Sequence, residues 1–171
     1  ALPVDMWKQL KADWQSLQAQ VEGLTPAESF KRHTALAEKI IEIIQVVTND
    51  SGLSLDPDLD SYYVMLGLQN QLPALAEQMG QTRAIGANAV ADGVVDPNER
   101  IAIQVRMARI EDAHKQMLSN LQIASKANAE SKAAVADALA AYIQSAQLYQ
   151  AMLQSNFADV TKEITTAPAF F

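Results

Sequence analysis

The sequence predicts an all-α protein, built as an antiparallel up-down bundle of long helices. Three observations carry that expectation. Alanine (29 of 171 residues), glutamine (16) and leucine are abundant and β-branched runs are few, a composition that favours helix. Apolar residues recur at spacings of three and four over most of the chain, as on one buried helical face. The breaks between these seams are short, and short connections make neighbouring helices antiparallel.

In the first segment the seam is Trp7, Leu10, Trp14, Leu17, Val21 and Leu24, with both tryptophans expected in the core. It breaks at Gly23-Leu24-Thr25-Pro26. There Thr25 reads as an N-cap, Pro26 as the first helical residue and Glu28 as the third, a capping box. The second helix carries Phe30, His33, Ala37, Ile40, Ile44 and Val47 and ends in Asn49-Asp50-Ser51-Gly52. After an irregular stretch from Leu53 to Pro57, a third helix starts at Asp58. Asp58 and Asp60 there suit the positive end of the helix dipole. Pro73 inside this helix predicts a kink near Gln69 to Pro73, because proline removes a backbone donor and crowds the preceding turn. The helix fades by Ala91, and Asp92-Gly93 makes the turn.

Asp96-Pro97-Asn98-Glu99 is a second N-cap signal of the same kind. The fourth helix has Ile103, Met107, Ile110, His114, Met117, Leu121 and Ala124 on its seam. A join near Ser125 to Glu130 lacks Gly and Pro, so its boundary is open. The last helix carries Val135, Leu139, Tyr142, Ala146, Tyr149, Leu153, Asn156 and Val160, reaches Ile164 and is ended by Pro168. At ~1.5 Å per residue the three later helices are each about 45–55 Å long. Five rods in up-down order put the chain ends at opposite ends of the bundle. If the first two segments form one rod, broken near Thr25-Pro26, the result is four-helix-bundle-like and the ends meet. The four-rod arrangement is the expectation. Seams at strict 3-4 spacing can also zip to a second copy, which makes a homodimer the expected state unless the bundle consumes them internally.

Charge and motifs exclude several functions. With 13 Lys+Arg against 20 Asp+Glu, the formal net charge is −7. The cations are scattered, which disfavours nucleic acid. No cysteine is present, so there is no disulfide framework, thiolate zinc site or cysteine nucleophile. No run approaches the roughly 18 apolar residues of a membrane span. The most apolar, Ile40 to Val47, is interrupted by Glu42 and Gln45. Ala1 opens directly into helix-forming sequence without a signal-peptide pattern. The other end, Ala167-Pro168-Ala169-Phe170-Phe171, reads either as a cut inside a longer protein or as an apolar tail folded on the bundle. A Gly-rich phosphate loop, a Gly-x-Ser-x-Gly elbow and a His-Glu-x-x-His motif are all missing, so neither an enzyme nor a cofactor is expected.

Few residues stand out as candidates. Asp56-Pro57-Asp58-Leu59-Asp60 alternates carboxylates, but a calcium loop would need a glycine and a later acid where Ser61 and Gly67 stand, so helix capping is the simpler reading. His33 and His114 fall on apolar seams, either as core histidines with one hydrogen bond or as members of a metal or haem site. Their spacing makes no local metal motif. Arg83 is a lone cation in the nearly uncharged stretch from Met79 to Ala91. It either anchors an anionic ligand or pairs with an acid on another helix. Adjacent Tyr62 and Tyr63 point about 100° apart on a helix. One can face the core and the other a ligand groove, or both can pack in the core.

One segment is more specific. Asp50-Ser51-Gly52-Leu53-Ser54-Leu55-Asp56-Pro57-Asp58-Leu59-Asp60-Ser61-Tyr62-Tyr63-Val64-Met65 resembles a signature in the periplasmic helical sensor regions of bacterial transmembrane receptors, the sensor histidine kinases and methyl-accepting chemotaxis proteins. Leu72-Pro73, Arg83-Ala84-Ile85-Gly86 and Phe30-Lys31-Arg32-His33 with Leu36 also resemble that pattern. The likeness covers about residues 7 to 90, and the second half shares only helical character. It implies a single sensory domain over residues 1–171, cut from a longer receptor and held outside the inner membrane, with the membrane reached only through flanking helices. It further implies a dimeric bundle that binds a small molecule, an organic acid or other anion, between helices. Arg83, Tyr62, Tyr63 and His33 are the expected contacts. A sensor histidine kinase is the leading parent and a chemoreceptor the alternative. A structural dimerisation spacer, with no ligand of its own, is the third reading.

Overall fold

The structure is a computed structural model that describes residues 3–92 and 96–157, the side chains of residues 90–92 excepted. Among the described residues all regular structure is helical and no strand forms. Helix α1, Val4–Gln20, continues into a 3-10 turn, Val21–Gly23. Leu24 and Thr25 are then both extended (ψ 144° and 156°), and the chain reverses into α2, Pro26–Asp50. The capping box at this start is complete: Glu28 N–H donates to Thr25 Oγ1 at 3.3 Å, and Thr25 N–H donates to Glu28 Oε2 at 3.0 Å.

The pairings across α1 and α2 are antiparallel. Arg32 Nη1 donates to Gln20 Oε1 at 2.9 Å, Lys39 pairs with Asp13, and Leu10, Leu17 and Leu36 form a small apolar cluster. The first two segments are therefore a hairpin and not the single broken rod expected, because two successive extended residues turn the chain back where one distorted turn would only bend it. The expectation for the tryptophans also fails. Trp7 is 59% exposed and Trp14 51%. α1 packs chiefly along α2. One neighbour covers one stripe of a 3-4 seam, here Leu10 and Leu17, and leaves the stripe of Trp7, Trp14 and Val21 facing solvent.

α2 ends where Gly52 takes φ 77°, a left-handed value suited to glycine, and its N–H donates to Asn49 O at 3.1 Å. After a 3-10 turn, Leu53–Leu55, the rod α3 runs through three consecutive pieces: Leu59–Leu66, a π-helical segment Gly67–Gln71, and Leu72–Asp92. Asp58 flanks its start without a side-chain cap. Asp60 reaches across to the last helix, accepting from Asn128 Nδ2 at 2.9 Å and Ser131 Oγ at 2.5 Å, and these bonds hold its carboxyl below the usual aspartate range.

The interruption expected at Pro73 takes the form of the π segment. Pro73 has no N–H for the carbonyl of Gln69 four residues back. Gln45 Nε2, from α2, donates to that carbonyl instead at 3.2 Å and to Asn70 Oδ1 at 2.8 Å. The defect in α3 is thus the point at which α2 is fastened to it.

Helix α4, Pro97–Ala127, begins with the second capping box, in which Glu99 Oε2 accepts from Asp96 N–H at 3.0 Å. Its seam is as expected: Ile103, Ile110, Met117, Leu121 and Ala124 are buried. The open boundary falls at Asn128, which is extended and whose Oδ1 accepts from Glu130 N–H at 2.9 Å, starting α5, Ala129–Phe157. Gln81–Arg106 and Gln71–Asn120 contacts set α4 antiparallel to α3, and His114–Tyr142 sets α5 antiparallel to α4. Leu75, Ile103, Ile110, Leu153 and Phe157 form the main core among α3, α4 and α5. No helix among the described residues is long and apolar enough to cross a membrane. The expected positions of Gly93, Val160, Ile164, Pro168 and Phe170-Phe171 lie outside the described residues.

Candidate functional site

The register between α2 and α3 follows from Gln45 and Asn70, which lie side by side. Counting back along α2 and forward along α3 sets Ala37 level with Glu77, and the Phe30–His33 turn level with Arg83. Over this half the helices do not close on each other. They leave an open groove of about 990 Å³, floored by the start of α4 at Asn98, Glu99 and Ala102.

Small residues keep the groove open. Ala37 stands on one wall, Gly80 and Ala84 on the other. A Cβ added at Gly80 would meet nothing within 4 Å. Phe30 and Ile85 add the large apolar surfaces. Such a mostly apolar cleft with a few polar groups is the usual character of a small-molecule site.

Two of the four expected site residues meet here. His33 and Arg83 line the groove from opposite helices. His33 is exposed rather than buried in a seam, and its Nδ1 lies 2.8 Å from the carbonyl of Ser29. Since a carbonyl only accepts, Nδ1 carries the proton and Nε2 is left to face the groove or solvent. Arg83 is exposed and makes no ion pair with a described residue. The alternative expectation, an acid on another helix, is not met among the described residues.

Tyr62 and Tyr63 are not part of this groove. They pack edge to face on each other, centroids 5.4 Å apart, about 30 Å along α3 from Arg83 at 1.5 Å per residue. His114 is half-buried on α4, with Nδ1 2.9 Å from Tyr142 Oη. Burial lowers the His114 pKa and raises that of Tyr142, so both groups favour their neutral forms. The two histidines lie in different places, and no group of three His, Cys, Asp or Glu among the described residues could hold a metal.

Three groove residues, Glu77, Gln81 and Glu99, were not singled out as site residues by sequence, and Arg106 outside the lining supports two of them. Arg106 donates through Nε and Nη2 to Gln81 Oε1 (2.9 and 2.7 Å) and through Nη1 to Ala102 O at 3.0 Å. Gln81 Nε2 in turn donates to Glu77 Oε1 at 2.5 Å. This relay holds Gln81 and Glu77 in the wall. Burial, then the nearby Arg109, lowers the pKa of Arg106. Glu99 is occupied at both oxygens, by Asn88 Nδ2 at 2.9 Å and Asp96 N–H at 3.0 Å. A sequence signal for these walls is Gly80, a glycine inside a helical pattern.

Comparison with protein-family models, with characterised proteins and with solved structures finds no match to this chain.

Proposed function

We propose that this chain is the ligand-sensing portion of an extracytoplasmic, two-component signalling receptor, and that its ligand is a small molecule, an organic acid or other anion, bound between α2 and α3. The observation that supports this is the open groove with Arg83 on its wall, in no ion pair with a described residue. The parent receptor in this reading is a sensor histidine kinase, with a methyl-accepting chemotaxis receptor as the alternative. The domain itself carries no catalysis. The all-helical fold is compatible with an antiparallel up-down bundle in the receptor, with a bound ligand shifting a two-state helix arrangement.

A thermal-shift screen of organic acids, aromatic acids and inorganic anions tests the groove. A ligand at 100 times its Kd adds about 2.7 kcal/mol to stability and raises the Tm accordingly. Gly80→Phe should keep the fold and lose the shift, since the ring fills open space. A ligand that still shifts the Gly80→Phe variant binds elsewhere.

The exposed stripe of Trp7, Trp14 and Val21 favours a second reading, in which the domain is a dimerising spacer that pairs α1 with its copy. Sedimentation should then show a dimer that Trp7→Gln with Trp14→Gln converts to monomer, and the ligand screen should be empty. A wild-type monomer at tens of micromolar removes this reading.

A further inference from the structure

We infer that the groove between α2 and α3 selects monocarboxylates with an apolar, ring-sized body and turns away dicarboxylates. The inference rests on the ligand-site reading above and narrows it. It comes from the order of charges along the groove. Arg83 stands level with the Phe30–His33 turn, free of any ion pair with a described residue. A carboxylate placed here meets a guanidinium able to bind it through two parallel hydrogen bonds.

On both sides of Arg83 the walls become apolar. Toward Glu77 these are Ala37 on α2 and Gly80 on α3, and toward Glu99 they are Phe30 on α2, Ala84 and Ile85 on α3 and Ala102 on the floor. An aliphatic or aromatic body removed from water here gains from burial in proportion to its area. At one end stands Glu77, level with Ala37 and about 9 Å of helix from Arg83 at 1.5 Å per residue. Its Oε1 is held by Gln81, which Arg106 holds in turn. Glu99 stands at the other end, held by Asn88, about 7.5 Å of helix from Arg83 in the opposite direction. With one cation against two anions, the groove matches one negative charge near Arg83. A second carboxylate farther along the body meets like charge, which costs affinity.

Three probes with one body separate these contributions: 3-phenylpropionate, its amide, and 3-(4-carboxyphenyl)propionate, titrated calorimetrically against the whole chain. The monoacid should bind roughly tenfold tighter than either the amide or the diacid, the factor of one charge-assisted contact. Arg83→Gln should erase the preference for acid over amide. Glu77→Gln should let the diacid approach the monoacid. An amide that binds as well as the acid, a diacid that binds best, or a preference that survives Arg83→Gln would overturn the inference. If the three probes fail but a different class of molecule binds in a manner lost in Gly80→Phe, the site stands and the monocarboxylate inference falls. If nothing in the screen binds, both fall together.

Discussion

Phe157→Ala should lower the stability of the folded chain by about 3–5 kcal/mol, read as a shift in the denaturant midpoint of the helical circular dichroism signal. Phe157 is fully buried and lies in the main core with Leu75, Ile103, Ile110 and Leu153, drawn from α3, α4 and α5. Truncating it removes a ring from the meeting point of three helices, none of which can close the space alone. Phe157→Leu, which keeps most of the volume, should cost about half as much. If Phe157→Ala instead shifts the midpoint by less than about 1 kcal/mol, α5 does not complete this core.

The second large effect is a contrast between two glycines of one rod. Gly67→Ala should destabilise by about 1–3 kcal/mol, and Gly80→Ala should stabilise by about 0.5–1 kcal/mol. Both lie in α3 and both would gain helix propensity from alanine. They differ in what the new Cβ meets. At Gly67 it would come within 2.8 Å of Met117 Sδ, and Met117 is buried on α4, with little room to withdraw. At Gly80 it would meet nothing. Thermal unfolding of the two variants should therefore move in opposite directions. Equal and positive shifts would show that the Met117 thioether swings aside to admit the new methyl.

The contrast also shows which parts of the protein are legible in its sequence. Local chemistry is: Thr25-Pro26 with Glu28 and Asp96-Pro97 with Glu99 both form the capping boxes their spacing predicts. The seam of α4 is legible too, because α3 and α5 flank α4 and bury it. The seam of α1 misleads. A 3-4 pattern tells which face is apolar and says nothing of how many neighbours cover it, so Trp7 and Trp14 end half-exposed. The break at Thr25-Pro26 was readable as a break but not as a reversal, which depends on two backbone torsions. For the groove, Arg83 was visible as an isolated charge. Its opposite wall, 50 residues earlier in the chain, depends on the register that Gln45 sets with Asn70. Tyr62 and Tyr63 stand out through their motif, yet the length of α3 carries them far from that wall.

Gln45 gives this register a mechanical meaning. α2 is pinned to α3 at the carbonyl that Pro73 leaves open, while its opposite end borders the groove and carries α1 on its outer side. The α1–α2 hairpin is a lever, held to α3 around Gln45 and standing away from it where the groove opens. A molecule lodged beside Phe30 and Arg83 acts at the free end, where the lever arm is longest. The clamp sits on the π-helical segment, where α3 already departs from regular helix. Load on the hairpin would thus reach α3 at a stretch whose hydrogen bonding already departs from the regular helix.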